Sequence, residues 1–524
     1  MGAWESCLLA LVLLVGVLYI VTGSSLHEIL YNDGAYYYGV ARHLALTGRF
    51  EEPIVWHFIH PPVGIVHAPF DYWGCLTSLL LVPPLVVFGA TPETAIVTMS
   101  VIAAVSLLAF WYLVCFALPL RHRASQLLAV MLLAFSPAMD VYRFQPESVA
   151  IVQLFLLLSL IAFCRRASIL AILSAFCILL ARGDGLVLFA LISLAVVLRE
   201  AMGSDKTRRP GRVILVVLAC IGTYVLWSFI SFGTLLPPGP QAVPLLPRFE
   251  DVYDFGASTG TSWPQNVLRW FNLDYVFHRM IFAAFVFAVM PFTPAAPWWP
   301  SLALLGVFGL FRHRSATPWL IWVLCFGGYS LVVWVAGPGF APFRAPHVFA
   351  PLVVLAGAIG LDAVLALLTA VVERGNHRRV RAVVVGAIVW ALCAVPLSRL
   401  SVVHEYPARP NLPYQHDLTR LDEVLGGEPA ASNVPWYMIA YTQSPTVSIP
   451  YNGEAAIEAV LERYHVRWLV IAGNPPRWHS GTSLGVLRDV LAGKELHLGR
   501  FQLEHVPIGV PAERLNVYRV RPTS

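Results

Sequence analysis

Long uncharged apolar runs alternate along the chain with short polar or proline-containing connections. Runs that can span a bilayer, or nearly so, fall at 7–23, 94–119, 124–139, 148–164, 168–181, 185–199, 213–232, 297–311, 317–336, 346–371 and 380–397. They predict a mainly α, polytopic membrane protein with about eleven transmembrane helices. Two further apolar stretches, 73–90 and 276–293, are assigned to the outer face of the bilayer as interfacial segments. Pro83-Pro84 and the aromatic residues around Trp73 and Phe282 suit that depth. From about Leu400 the pattern becomes that of a water-exposed domain, with Tyr406 to Pro413 as a proline-rich linker. There Gly453 to Tyr464 reads as a helix, and Val466 to Ala472 and Asn516 to Val520 as strands. The expected organisation is therefore a membrane part over 1–399 and a small extracytoplasmic α/β domain over 400–524. No internal repeat is visible.

Composition strengthens the membrane reading: 58% of the 524 residues are hydrophobic and 12% are charged, with a mean hydropathy of +0.69. A soluble chain of this length could not hide so much apolar surface. The net charge of +5 does not indicate nucleic-acid binding, because the basic residues sit in short groups between apolar runs. These groups are Arg121-His122-Arg123, Arg165-Arg166, Arg199 to Arg212, Arg312-His313-Arg314 and Arg374 to Arg381, one at every second connection. The positive-inside rule then puts the N-terminus in the cytoplasm and the C-terminal domain outside. The first run could be a cleaved signal, but Glu5 precedes it, no basic segment does, and Ser24-Ser25-Leu26-His27 is a poor cleavage site. All eight cysteines lie in or beside apolar runs, which is neither a disulfide framework nor a metal motif.

Three outer connections, 24–92, 233–296 and 337–345, exceed a simple turn and are where a site would be built. In the first, the spacing of Tyr37, Val40, Ala41 and Leu44 predicts a short interfacial helix beginning at Asp33 and ending near Gly48. Asp33 can be read as its N-cap; the same helix end would keep the carboxylate ionised and able to act as base or metal ligand. His57-Phe58-Ile59-His60-Pro61-Pro62 reads most simply as a proline-rich turn with interfacial histidines. In Gln145-Pro146-Glu147-Ser148, Pro146 suits the first turn of a spanning helix, while Glu147 carries a desolvation cost that a metal or polar partner would relieve. Arg182-Gly183-Asp184-Gly185 forms an outer turn whose charges can be solvated or can meet headgroups. Arg344 precedes a long apolar helix, where a guanidinium opposes the dipole and calls for an anion such as phosphate.

In this order the segments resemble the GT-C glycosyltransferases, in particular the bacterial group related to protein O-mannosyltransferases and aminoarabinose transferase. Asp33 with Gly34-Ala35-Tyr36-Tyr37 looks like the acidic motif of the first outer loop, and His60-Pro61-Pro62 like the element closing it. Gln145-Pro146-Glu147 looks like a second acidic motif, and Phe343-Arg344 through Pro351 like the Arg-to-Pro element of a late helix. Gly34 stands where some relatives carry a second acid, so no carboxylate pair exists there.

The resemblance implies a multi-pass enzyme of a prokaryotic plasma membrane. Its reaction would be inverting transfer of a sugar from a polyprenyl-phosphate carrier to a hydroxyl of a cell-envelope glycan, lipid or protein. It implies Asp33 as base, Arg344 and Arg182 on the donor phosphate, and His60, Tyr37, Gln145, Glu147 and Asp184 nearby. A divalent ion (magnesium, manganese or calcium) on Asp33 and Glu147 stays open. The alternative from another class is a transporter or flippase of lipid-linked sugars, which needs the same basic residues but no base.

Overall fold

The computed structural model describes residues 3–23, 32–118, 120–135, 142–202, 210–239, 252–256, 348–372, 415–472, 496–511 and 514–523. The expected segments 276–293, 297–311, 317–336 and 380–397, and Arg344, lie outside the described residues.

Helix α1 is Ala3–Gly23, and α2, in the first connection, is Asn32–Thr47. Asp33 is the second residue of α2 and not its cap, so it sits in the first turn, where the helix dipole still favours a carboxylate. Gly48 closes the helix at φ 70°, its N–H donating to the Leu44 carbonyl at 2.9 Å. The two-residue strand β1 (Ile54–Val55) follows, then α3 (Leu76–Phe88), which carries Pro83 and Pro84 inside it. At thirteen residues α3 is shorter than the roughly 20 residues an upright span requires.

Helix α4 (Pro92–Tyr112) starts where Thr91 accepts from the Thr94 N–H, with Pro92 in the first turn and Glu93 facing the dipole. It continues as one π-helical turn, Leu113–Ala117. Next come α5 (Arg123–Ala134), α6 (Ser148–Cys164), α7 (Ser168–Ala181), α8 (Gly185–Met202), α9 (Pro210–Phe232) and α10 (Ala350–Val372). Glu147 is the N-cap of α6, so Pro146 stands just before the helix and not in its first turn as expected. Among the described residues, five helices are long and apolar enough to cross a membrane: α1, α4 with its π turn, α8, α9 and α10.

Polar anchors fix the end of the bundle that lies away from Glu147 and Arg182. Arg199 donates to the Phe163 carbonyl and, at 2.9 Å, to Ser168 Oγ, closing the α6–α7 turn against the end of α8. Buried Asp362 of α10 accepts from the backbone N–H groups of Arg121 and His122 at 3.1 and 2.8 Å, and its Oδ1 lies 2.9 Å from His122 Nδ1. Each bond satisfies a polar group that lipid could not.

The C-terminal part forms β2 (Ala430–Ser432), α11 (Pro435–Tyr441), β3 (Thr446–Ser448), α12 (Glu454–Arg463), β4 (Trp468–Ala472), β5 (Leu496–Leu498), β6 (Phe501–His505) and β7 (Leu515–Pro522). The seven-stranded sheet has the order β1-β3-β2-β4-β7-β6-β5, parallel from β1 to β4 and antiparallel beyond. Its edge strand β1 comes from the connection after α1, with Ile54 opposite Thr446 and Val55 opposite Val447. Both faces of β4 are covered: Trp468, Val470 and Ala472 join the main core, and Leu469 and Ile471 a second core with Val55, Ile457 and Tyr518. The other side of the main core is α2, which packs on α11. An added Cβ at Gly39 would lie 2.7 Å from the Ile439 side chain, and Arg42 donates to the Thr442 carbonyl at 2.8 Å.

Candidate active site

One end of the helix bundle gathers the start of α2, the start of α6 and the α7–α8 turn. Asp33 is half-buried there and Tyr37, one helical turn later, is buried. Ser78 of α3 holds the Tyr37 carbonyl at 2.9 Å. Burial pushes the Tyr37 hydroxyl far above its ordinary range; the Asp33 charge adds to this, while Arg182 and a hydrogen bond with Ser148 oppose it and Glu147 adds to it again. Asp33, Glu147, Ser148 and Arg182 therefore all act on this one hydroxyl, from three separate stretches of chain.

Arg182 forms a two-pronged pair with Asp184, Nε to Oδ1 and Nη2 to Oδ2, both at 2.8 Å, and Nη1 reaches Ser148 Oγ at 3.3 Å. Burial works against its charge, yet Asp184, Tyr37 and Asp33 more than compensate, so the guanidinium stays charged. The two charges of the turn are thus paired with each other and half-buried. Gly74 presses on this turn from the first loop, for a Cβ there would lie 2.4 Å from the Ala181 carbonyl carbon. Beside Gly183 is a small apolar recess lined by Trp73, Leu179, Leu180, Tyr224 and Trp227.

Gln145 and Glu147 are buried, and the Glu147 N–H turns back to the Gln145 carbonyl at 2.6 Å around Pro146. His60 is not brought in. It is exposed, at φ 53°, on a loop whose Pro61 and Pro62 carbonyls accept from Arg463 and Tyr464 of the C-terminal part. A rigid proline-rich turn docks there by its backbone, which leaves the His60 ring in solvent. The expectation that His60 joins the site is corrected on that ground.

Sequence reasoning missed Ser148 and the aromatic wall formed by Tyr36, Trp56, Tyr72 and Trp73. Trp73 stacks on Trp56 at 4.2 Å and 19° and lies 4.2 Å from Tyr36, while Trp56 meets Tyr72 edge-on at 4.5 Å. The only local signal was the density of Trp and Tyr in 31–73.

The fold is found in solved structures. The chain aligns with the oligosaccharyltransferase AglB of Archaeoglobus fulgidus over 90% of its length and 70% of that chain, at TM-score 0.60 and 14% identity. It aligns with ArnT of Cupriavidus metallidurans over 97% of both chains, at 0.56 and 11%. The chain has a GT-C fold. The same holds for the arabinofuranosyltransferase AftD from Mycobacteria, at 0.53 and 16% identity, with 98% of this chain spanning 39% of that longer one. At these identities the likeness is one of fold. No protein-family model matches the chain, and no curated protein does.

Proposed function

We propose that the protein is an inverting glycosyltransferase that moves a sugar from a polyprenyl-phosphate carrier to an acceptor hydroxyl at the outer face of the membrane. The observation that carries this reading is the convergence of Asp33, Glu147 and Arg182 on the Tyr37 hydroxyl. Among the solved relatives, an AglB structure holds a dolichol-phosphate and an ArnT structure undecaprenyl phosphate.

In the reaction, the acceptor oxygen forms a bond to the anomeric carbon while the bond from that carbon to the carrier's phosphate oxygen breaks. Its electron pair leaves with the polyprenyl phosphate, and the acceptor proton passes to a base. Asp184 is tied up by both guanidinium edges of Arg182, so it is unsuited to receive the proton. Asp33, half-buried at a helix start, is the residue assigned that role. Negative charge grows on the departing phosphate, and Arg182 keeps N–H groups beyond those given to Asp184 and Ser148 with which to meet it. Arg344 is assigned to the same phosphate from its sequence position alone.

A divalent ion on Asp33 and Glu147 stays open; two carboxylates are hard oxygen ligands of the kind that favour magnesium, manganese or calcium. Held by Asp33 and Glu147, such an ion would supply further positive charge for the phosphate.

The test is to incubate the purified protein with radiolabelled polyprenyl-phosphate sugars and cell-envelope acceptors. Transfer by the wild type and its loss in Asp33→Asn at equal expression support the reading. Undiminished transfer by Asp33→Asn would remove the proposed base, and transport without transfer would return the lipid-linked-sugar flippase.

A further inference from the structure

The first outer connection buries a second set of ionisable groups that the transfer reaction does not use. Glu52 is 0% exposed, His57 2% and Asp71 5%, and the His67 side chain 13%. An antiparallel bridge joins Glu52 to His67, the Glu52 N–H donating to the His67 carbonyl at 2.9 Å and the reverse bond measuring 3.2 Å. Phe70, at φ 69°, turns the chain so that Asp71 comes back beside them.

His67 Nδ1 lies 3.0 Å from the Ile65 carbonyl, an oxygen that can only accept, so Nδ1 carries the proton. Nε2 therefore faces two carboxylates, Glu52 Oε1 at 3.1 Å and Asp71 Oδ2 at 3.7 Å. Two anions directed at a ring lone pair require a cation between them. A proton is one answer: burial acts against it, but the Asp71 and Glu52 carboxylates would hold it on the ring up to about pH 10. Yet Glu52 Oε1, fully buried, is out of line for a hydrogen bond from the ring and has no other hydrogen-bond partner among the described residues.

A metal ion is the other answer, and the spacing fits it. The three ligand atoms all lie within 4.8 Å of one another. Zinc bonds of about 2.0–2.2 Å in a tetrahedron place neighbouring ligands roughly 3.3–3.6 Å apart. The remaining atoms of each ligand are already held from outside. Asp71 Oδ1 lies 3.2 Å from His57 Nε2, Glu52 Oε2 accepts from the Tyr36 hydroxyl and, at 3.1 Å, from the Phe70 N–H, and His67 Nδ1 has its carbonyl. Such outer bonds orient metal ligands and fix the tautomer.

We propose that Glu52, His67 and Asp71 form a zinc site, distinct from the Asp33–Glu147 pocket, that pins the first outer loop in place. Imidazole with carboxylates suits zinc better than calcium or magnesium, which take oxygen ligands. The site ties β1, and through it the C-terminal sheet, to Tyr36 on α2, the helix that carries Asp33 and Tyr37.

The test is metal analysis of the full-length protein in detergent, offered excess zinc and then dialysed against zinc-free buffer. About one tightly held zinc per chain is expected, kept by the double variant Asp33→Asn/Glu147→Gln and lost from His67→Ala and Glu52→Gln. His57→Ala should bind it about 10–100-fold more weakly. Cobalt in place of zinc should show the visible absorption of a tetrahedral centre in the wild type. A wild type that keeps no zinc, or zinc lost from the Asp33→Asn/Glu147→Gln protein but kept by His67→Ala, overturns the proposal. Neither outcome depends on sugar transfer.

Discussion

Two groups of charges, each drawing on the first connection, are built on opposite plans. Around Tyr37, the carboxylates of Asp33, Glu147 and Asp184 gather with one guanidinium. Around His67, two carboxylates meet two imidazoles, and Trp56, Tyr72 and Trp73 wall the region off. The first set is partly open, with Asp33, Arg182 and Asp184 all half-buried; the second is buried and can reach balance with a single cation. A reaction that expels a phosphate needs spare polar groups and access, whereas a clamp needs every group spoken for.

The comparison can be broken most sharply at Asp33. Asp33→Asn should lower transfer by about 10²–10⁴-fold, while zinc content and melting temperature stay as in the wild type. If zinc leaves as well, the two sites are one. Next comes Arg182→Met, expected to cost about 10²–10³-fold in kcat and to lower the melting temperature because half-buried Asp184 loses its ion-pair partner. Adding Asp184→Leu should recover most of the melting temperature and none of the transfer, which separates charge supply from packing. Gly74→Ala forces a methyl group against the Ala181 backbone; about 1–3 kcal/mol of stability should go, with a smaller loss of transfer as the Arg182 turn is displaced. Smallest is zinc removal by a chelator, or Glu52→Gln. Each should lower the melting temperature by a few degrees through lost ligand binding and leave transfer within about tenfold of wild type. Unchanged melting on chelation would mean that a proton alone holds the cluster.

Much of the helical part was legible because lipid demands long unbroken apolar runs, and α1, α4 and α6 to α10 begin and end within a few residues of those runs. In the tail, α12, β4 and β7 could be read for a similar reason, since each carries its own periodicity. Strand β1 could not be read. Two residues in a loop of histidines and prolines offer no alternation, and their partners Thr446 and Val447 lie near the other end of the chain. The residues of the carboxylate pocket were visible singly, each at a helix end where an unpaired charge is costly. Their assembly was not, because nothing local says that the starts of α2 and α6 meet the α7–α8 turn. The histidines of 57–67 show the limit most plainly. His57 and His60 look alike in sequence, and only the return of the chain at Phe70 decides that one is buried against Asp71 while the other faces solvent.

The borrowed edge strand sets an order of events during synthesis. β1 emerges early, but its hydrogen-bonding neighbour β3 is made almost four hundred residues later, and the Thr446 N–H must find the Pro53 carbonyl across that interval. Contacts so distant form slowly. Until they do, a nascent chain exposes Trp56 and one flank of α2 and is open to chaperones or proteases. A ribosome stalled before residue 446 should therefore release a chain whose helices are inserted but whose outer loop is still cleavable.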